Sequence, residues 1–232
     1  MDLNLVQLIA LYAVPVILAI TLHEAAHGYV AMRFGDMTAH AAGRVSLNPV
    51  RHIDLVGTIA VPLALLALAK IFSGSGILFG WAKPVPVNFA NLTHPKRDML
   101  WVAAAGPLIN FVMALGWGAL AKIGLLFPQT GFTLTLVLMS AAGVFVNVII
   151  MVLNLMPLPP LDGGRIMVSL LPHRLAYRFA RIEPFGFIIL LVLLFTGVLN
   201  TLIWPFVSGA MDLISMIFSV PVGQLLALAH AD

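Results

Sequence analysis

Apolar residues in this chain fall in long, nearly unbroken runs. The pattern is neither the alternation of half-buried strands nor the narrow apolar stripe of a soluble helix. The first run extends from about Leu5 to Phe34 and is uncharged as far as Leu22. Others cover roughly Leu55–Phe72, interrupted by Pro62, then Met99–Phe127, Leu134–Met156 and Phe185–Phe206. A weaker one, Met211–Ala229, contains Asp212, Pro221 and Gln224 and can either span or lie at the interface. A bilayer-crossing helix needs about 20 apolar residues, so the pattern predicts an all-α polytopic membrane protein with five to six transmembrane or re-entrant helices. Between the second and third runs lies SGSGILFGWAKPVPVNFANLTHPKR, where Pro84, Pro86 and Pro95 forbid a continuous helix. Within it, ILFGW and VPVNF suit extended strands.

Composition narrows the class. The chain is 61% hydrophobic and 9% charged, whereas soluble domains carry about 25% charged residues. The first run follows Asp2, not a basic stretch, and passes straight into histidines, so it is not read as a cleavable signal. Cysteine is absent, which excludes disulfides, thiolate metal sites and cysteine nucleophiles. The net charge of +3 requires no acidic partner, and no nucleic-acid-binding module is present. No repeat or second soluble domain interrupts the chain, which predicts one integral membrane domain over 1–232. Its core covers about 5–175 and its C-terminal helices about 184–229.

Charge placement gives a topology. Basic residues concentrate in 35–54, 73–98 and 157–183. These stretches share one side if 55–82 is re-entrant, entering as a helix and returning as a strand. The positive-inside rule then makes that side cytoplasmic. Re-entrant backbone must be surrounded by protein or water, which implies a polar cavity there. The alternative is that 55–82 crosses fully and the charge bias is diluted.

The first run ends in TLHEAAHGYVAMRFG. On a helix, His23 and His27 stand one turn apart on one face, so both imidazoles can bind one cation. Glu24 sits beside the first, angled to reach a water at that cation. This H-E-x-x-H arrangement is used by zinc hydrolases. The motif is short, but ionisable groups in an apolar span are costly and mark function. The bland alternative is two histidines and a glutamate hydrogen-bonded at a helix end. Catalytic zinc takes three protein ligands and a water. The acidic residue with the most suitable setting is Asp162 in NLMPLPPLDGGRI, preceded by Pro157, Pro159 and Pro160 and followed by Gly163 and Gly164. An ordinary Asp-Gly turn is the alternative. Asn154 can hydrogen-bond substrate or a developing oxyanion, or simply be an asparagine buried between helices. Asn147 is a weaker candidate. The small residues of AAAGPLIN suit close helix packing, with Asn110 as a polar contact within it. His40, His52, His94 and His173 lie in loops without ligand spacing.

H-E-A-A-H early, A-G-P-L-I-N midway and N-L-M-P-L-P-P-L-D-G-G late, in this order, resemble the site-2 protease family of intramembrane zinc metalloproteases. The resemblance covers roughly residues 20–170, and S-L-N-P-V-R-H-I-D-L-V-G-T and F-G-W-A-K-P-V-P-V-N match its compact prokaryotic members. It implies one Zn²⁺ held by His23, His27 and Asp162, Glu24 as the catalytic glutamate, and Asn154 as a substrate-interacting asparagine. It also implies a membrane-associated β-hairpin at about 76–89 that holds substrate as an added strand. The implied partners are a transmembrane protein or peptide substrate and membrane lipid, in a multi-pass prokaryotic cell-membrane protein. The chain has no room for a PDZ domain between its motifs and lacks a nucleotide-sensing module. A zinc carrier using the same ligands is the competing reading.

Overall fold

The computed structural model describes residues 5–60, 82–128 and 130–229. Among these every regular element is helical. Helix α1 spans Leu5–Arg33, α2 Thr38–Ala41, α3 Pro95–Leu125 and α4 Gly131–Asn154. Next come α5 (Asp162–Leu170), α6 (His173–Ala180), α7 (Glu183–Phe195), α8 (Val198–Phe218) and α9 (Val222–Ala229). Among the described residues, four helices are long and apolar enough to cross a membrane: α1 from Val6, α3, α4 and α8.

Helices α1, α3 and α4 pack together as the centre of the molecule, with α5 against α3 and with α8 and α9 against α4. In lipid there is little hydrophobic gain from bringing helices together, so close packing of small residues must do it. Ala141, Ala142 and Gly143 of α4 are buried. A Cβ at Gly143 would lie 2.3 Å from the Trp117 ring, so the indole seats directly on the α4 backbone. Thr130 and Thr133 close a reciprocal capping box at the start of α4.

The tail departs from the sequence reading. Phe185–Phe206 is not one span: α7 stops at Phe195, and α8 begins at Val198 and runs on to Phe218. At 13 residues α7 is about 20 Å long, short of the roughly 30 Å hydrocarbon core. The break is at Gly197, whose φ of +75° favours a residue without a Cβ. Thr196 just before it turns its hydroxyl back to Val192 O. The predicted Met211–Ala229 segment is likewise divided, because the chain turns at Ser219 (φ +51°) before Pro221 and α9. Hydropathy runs on past both breaks, and only the local breakers Gly197 and Pro221 mark them.

One end of the bundle is heavily tied. Gly35 turns the chain after α1 with φ +100°. The Thr93 amide and hydroxyl both donate to Phe34 O at 2.9 Å, joining the end of α1 to the start of α3. The Lys83 amide donates to His52 O at 3.0 Å. The Lys96 ammonium donates to Leu171 O, bringing in the loop after α5. The described parts of the three basic stretches therefore meet at this end. Most of the expected re-entrant segment, residues 61–81, lies outside the described residues. Leu55–Ala60 at its start forms a π-helical turn capped by Asp54, which accepts from the Val56 and Gly57 amides.

Candidate metal centre

His23 and His27 face inward from the last third of α1, and both are buried. Their rings meet edge to face with centroids 4.7 Å apart. His23 precedes Arg33, the basic end of α1, by ten residues and His27 by six. These are depths of about 15 and 9 Å at the rise of an α-helix.

Asp162 is the first residue of α5 and is buried. Its Oδ2 lies 3.1 Å from His23 Nε2 and 3.3 Å from His27 Nε2. Gly163 and Gly164 follow Asp162, in a setting that suits an Asp-Gly turn. In the structure both are helical, and their role is close approach. A Cβ on Gly163 would lie 2.3 Å from Leu155 O and Met156 O, and one on Gly164 would lie 2.4 Å from Pro159 N. Gly186 of α7 presses on the same loop, where a Cβ would collide with Pro159 O. The proline-rich loop is thus clamped between α5 and α7, and Asp162 is positioned by it. Burial pushes the Asp162 carboxyl up, but the charge of His27 and hydrogen bonds from both imidazoles, when these are protonated, outweigh it and hold the group well below the usual carboxylate range.

This donor set fits a metal ion. The three ligand atoms lie within 4.8 Å of one another. Tetrahedral zinc with bonds of 2.0–2.1 Å places neighbouring donors about 3.3 Å apart, which matches the distances to Asp162 Oδ2. The far nitrogens are already engaged. His27 Nδ1 lies 2.7 Å from Val102 O and His23 Nδ1 lies 2.5 Å from Asn110 Oδ1. Oxygen acceptors there place the proton on Nδ1 and turn each Nε2 lone pair toward the centre. The room in front of those lone pairs comes from Gly106 of α3, where a Cβ would sit 2.5 Å from both Nε2 atoms. The sequence reading had Gly106 as packing and Asn110 as scaffold, and the structure puts both against the ligands. Their i, i+4 spacing on α3, matching that of the histidines, was the available signal.

Glu24 lies next to the pair, partly exposed. Its Oε2 accepts the Val85 amide at 2.8 Å. Residues 83–88 run over α1 as a strap without regular secondary structure. Arg44 Nη2 donates to Lys83 O at 2.6 Å, and the Asn88 amide donates to Asp36 Oδ2 at 2.7 Å. Gly28 lets it approach, since a Cβ there would lie 3.1 Å from a Val85 methyl and 3.0 Å from one of Val45. The expected β-hairpin at 76–89 is not found in its described half. Residues 82–88 form neither strand nor helix, and their polar groups bond to side chains and a loop carbonyl. Residues 76–81 lie outside the described residues.

Asn154 ends α4 and donates Nδ2 to Ile150 O at 3.0 Å, so one amide hydrogen turns back on its own helix. No described contact joins it to the three ligands. His52 is buried and bonds Ser46 O at 2.9 Å, a structural role.

Residues 123–197, which include Asp162, match the model of "Peptidase family M50". The chain is 34% identical to "Putative zinc metalloprotease YwhC" of Bacillus subtilis (strain 168) over 216 residues, 92% of this chain and 93% of that protein. It is 29% identical to "Putative zinc metalloprotease Rip2" of Mycolicibacterium smegmatis, over 79% of this chain and 66% of that protein. For the protein of the same name from Mycobacterium tuberculosis (strain H37Rv) the identity is 28%, over 85% of this chain and 71% of that one. No solved structure matches. With four apolar helices of spanning length among the described residues, a His-His-Asp group able to hold a metal, and 34% identity to the Bacillus subtilis protein over nearly the full length of both, this multi-pass membrane protein belongs to peptidase family M50, the site-2 protease family.

Proposed function

We propose that the chain is a zinc-dependent endopeptidase that hydrolyses peptide bonds of membrane-spanning substrates near the cytoplasmic side of a bacterial membrane. One integral membrane domain carries the activity, with the core at about 5–175 and the helices at about 184–229 as its flank. The observation that carries this reading is the convergence of His23 Nε2, His27 Nε2 and Asp162 Oδ2, with Glu24 adjacent.

Zinc held by His23, His27 and Asp162 would supply a water acidified to a pKa of about 7 and a Lewis acid for the scissile carbonyl. Glu24 takes the proton of the attacking water and returns it to the leaving amine. Asn154, with one amide hydrogen still available, orients the substrate or the developing oxyanion. A helical substrate hides its carbonyls in internal hydrogen bonds, so its segment must unwind before it can reach the site. The 83–88 strap, running across α1 beside Glu24, supplies backbone against which such a segment lies. For Glu24 to act, the Val85 amide must release it.

A transport reading would require further ligands along the membrane. Among the described residues, His23, His27 and Asp162 form the one close group of this kind. Glu24→Gln separates the two functions. The protease reading expects zinc retained at one ion per chain and cleavage of a membrane-spanning peptide lost. Undiminished cleavage by Glu24→Gln refutes Glu24 as the base. Zinc flux into vesicles by a parent protein that cuts nothing establishes transport.

A further inference from the structure

Asn110 and Asn147 are completely buried in the helical core, and the proposed chemistry uses neither directly. Their bonds form a chain with a fixed direction. Asn147 Nδ2 donates to Gly143 O at 2.8 Å. A backbone carbonyl can only accept, so the nitrogen end of Asn147 is fixed there and its oxygen faces Asn110. That oxygen accepts Asn110 Nδ2 at 2.9 Å, and the same nitrogen reaches Ala19 O at 3.3 Å. Two acceptors therefore fix the nitrogen end of Asn110. Only its oxygen is left to face His23 Nδ1, at 2.5 Å. A neutral imidazole carries one N–H, and an oxygen at Nδ1 requires it to be there.

We propose that Asn147 and Asn110 are positioning residues that relay the polarity of the Gly143 carbonyl to His23, locking its imidazole as the Nδ1–H tautomer with Nε2 free to ligate. With Asn110 reversed, its N–H would face Nδ1 and favour a proton on Nε2. That proton would point at Asp162 Oδ2, 3.1 Å away, and close the site with a hydrogen bond where a metal must enter. His27 receives the same instruction directly from Val102 O. His23 has a side chain in that place, whose orientation must itself be held. An asparagine pair serving only to join α1, α3 and α4 would need hydrogen bonds of either direction. The direction is what identifies a relay.

The inference rests on the reading of His23 as a metal ligand, but its first test needs no metal. Metal-free protein labelled with ¹⁵N-histidine is examined at alkaline pH, where imidazoles are neutral, and the His23 signals are assigned by their loss in His23→Asn. The expected parent state is the Nδ1–H tautomer alone, and a parent His23 found as Nε2–H overturns the relay without any further variant. Asn147→Leu, which leaves Asn110 in place, should give a mixture of tautomers. Zinc affinity, measured by chelator competition, should fall on the order of 10–100-fold in Asn110→Leu, the usual cost of losing such a partner. Asn110→Asp keeps an acceptor at Nδ1 and should retain more affinity than Asn110→Leu. Equal loss in those two, or a folded Asn147→Leu with parent tautomer and parent affinity, refutes the relay. A parent that shows the expected tautomer but binds no zinc counts against the proposed function and leaves the relay standing.

Discussion

Gly106→Ala is the smallest substitution with a large consequence at the centre. The added methyl would lie 2.5 Å from both Nε2 atoms, where ordinary contact begins at 3.4 Å. Each imidazole must then retreat by about 0.9 Å, several times the roughly 0.2 Å tolerance of a zinc–ligand distance. If α3 moves away instead, the bond from His27 Nδ1 to Val102 O stretches from 2.7 Å to about 3.6 Å and is lost. Both escapes damage the ligand set, so zinc affinity should drop by about 100-fold or more, beyond the usual effect of an outer partner. The metal-free protein should still fold, because overpacking costs about 1–3 kcal/mol and alanine returns up to about 1 kcal/mol of helix propensity. Chelator competition on purified protein measures the first effect and thermal unfolding the second. Gly116→Ala is the control, on the same helix with nothing within 4 Å of its new methyl. Gly106→Ala binding zinc within threefold of the parent would refute the view that this glycine makes room for the ion.

Other outcomes follow from the same contacts. Val85→Pro removes the N–H that holds Glu24; a hydrogen bond to a charged group is worth about 1.5 kcal/mol or more, so cleavage should rise on the order of tenfold, and a lost activity with zinc retained would mean the strap aims the base instead. Gly186→Ala drives a methyl into Pro159 O and should lower both thermal stability and zinc occupancy, through the loop that positions Asp162. Burial opposes ionisation of Asp36, but bonds from the Thr38 hydroxyl and from the Asn88 and Thr38 amides win and lower its pKa. A lowered folded pKa stabilises above the unfolded value of about 3.9 and is lost as pH falls through the folded one. Asp36→Asn should therefore unfold about 1–3 kcal/mol more easily at pH 7, with the difference fading in acid; a difference unchanged at pH 2 refutes it.

The grouping of His23, His27 and Asp162 was legible because their chemistry contradicts their surroundings. His23 and His27 stand at helical spacing in an uncharged run, and Asp162 stands in a proline and glycine setting that no spanning helix would tolerate. The spans α1, α3 and α4 were legible for the same reason as the membrane itself, since their apolar runs end at charges or prolines. The helix breaks at Gly197 and Ser219 were legible only from local breakers, Gly197 and Pro221, because hydropathy runs on past both. The tasks of Gly106, Asn110 and Asn147 were not legible. Each depends on which face of α3 or α4 meets α1, and that is decided by packing across more than eighty residues of separation. The strap was half legible. Its prolines announced backbone that is not helical, but the choice of Glu24 as partner to Val85, over a neighbouring strand, is a tertiary outcome.

On the proposed function, the shallow seat of the histidines would set where a substrate can be divided. At 9 to 15 Å from the basic rim, a severed segment leaves its rim-side fragment with roughly six to ten apolar residues, half or less of the length that anchors a chain in lipid. Such a remnant has little to hold it in the bilayer, so hydrolysis at this level would turn a membrane tether into a soluble product.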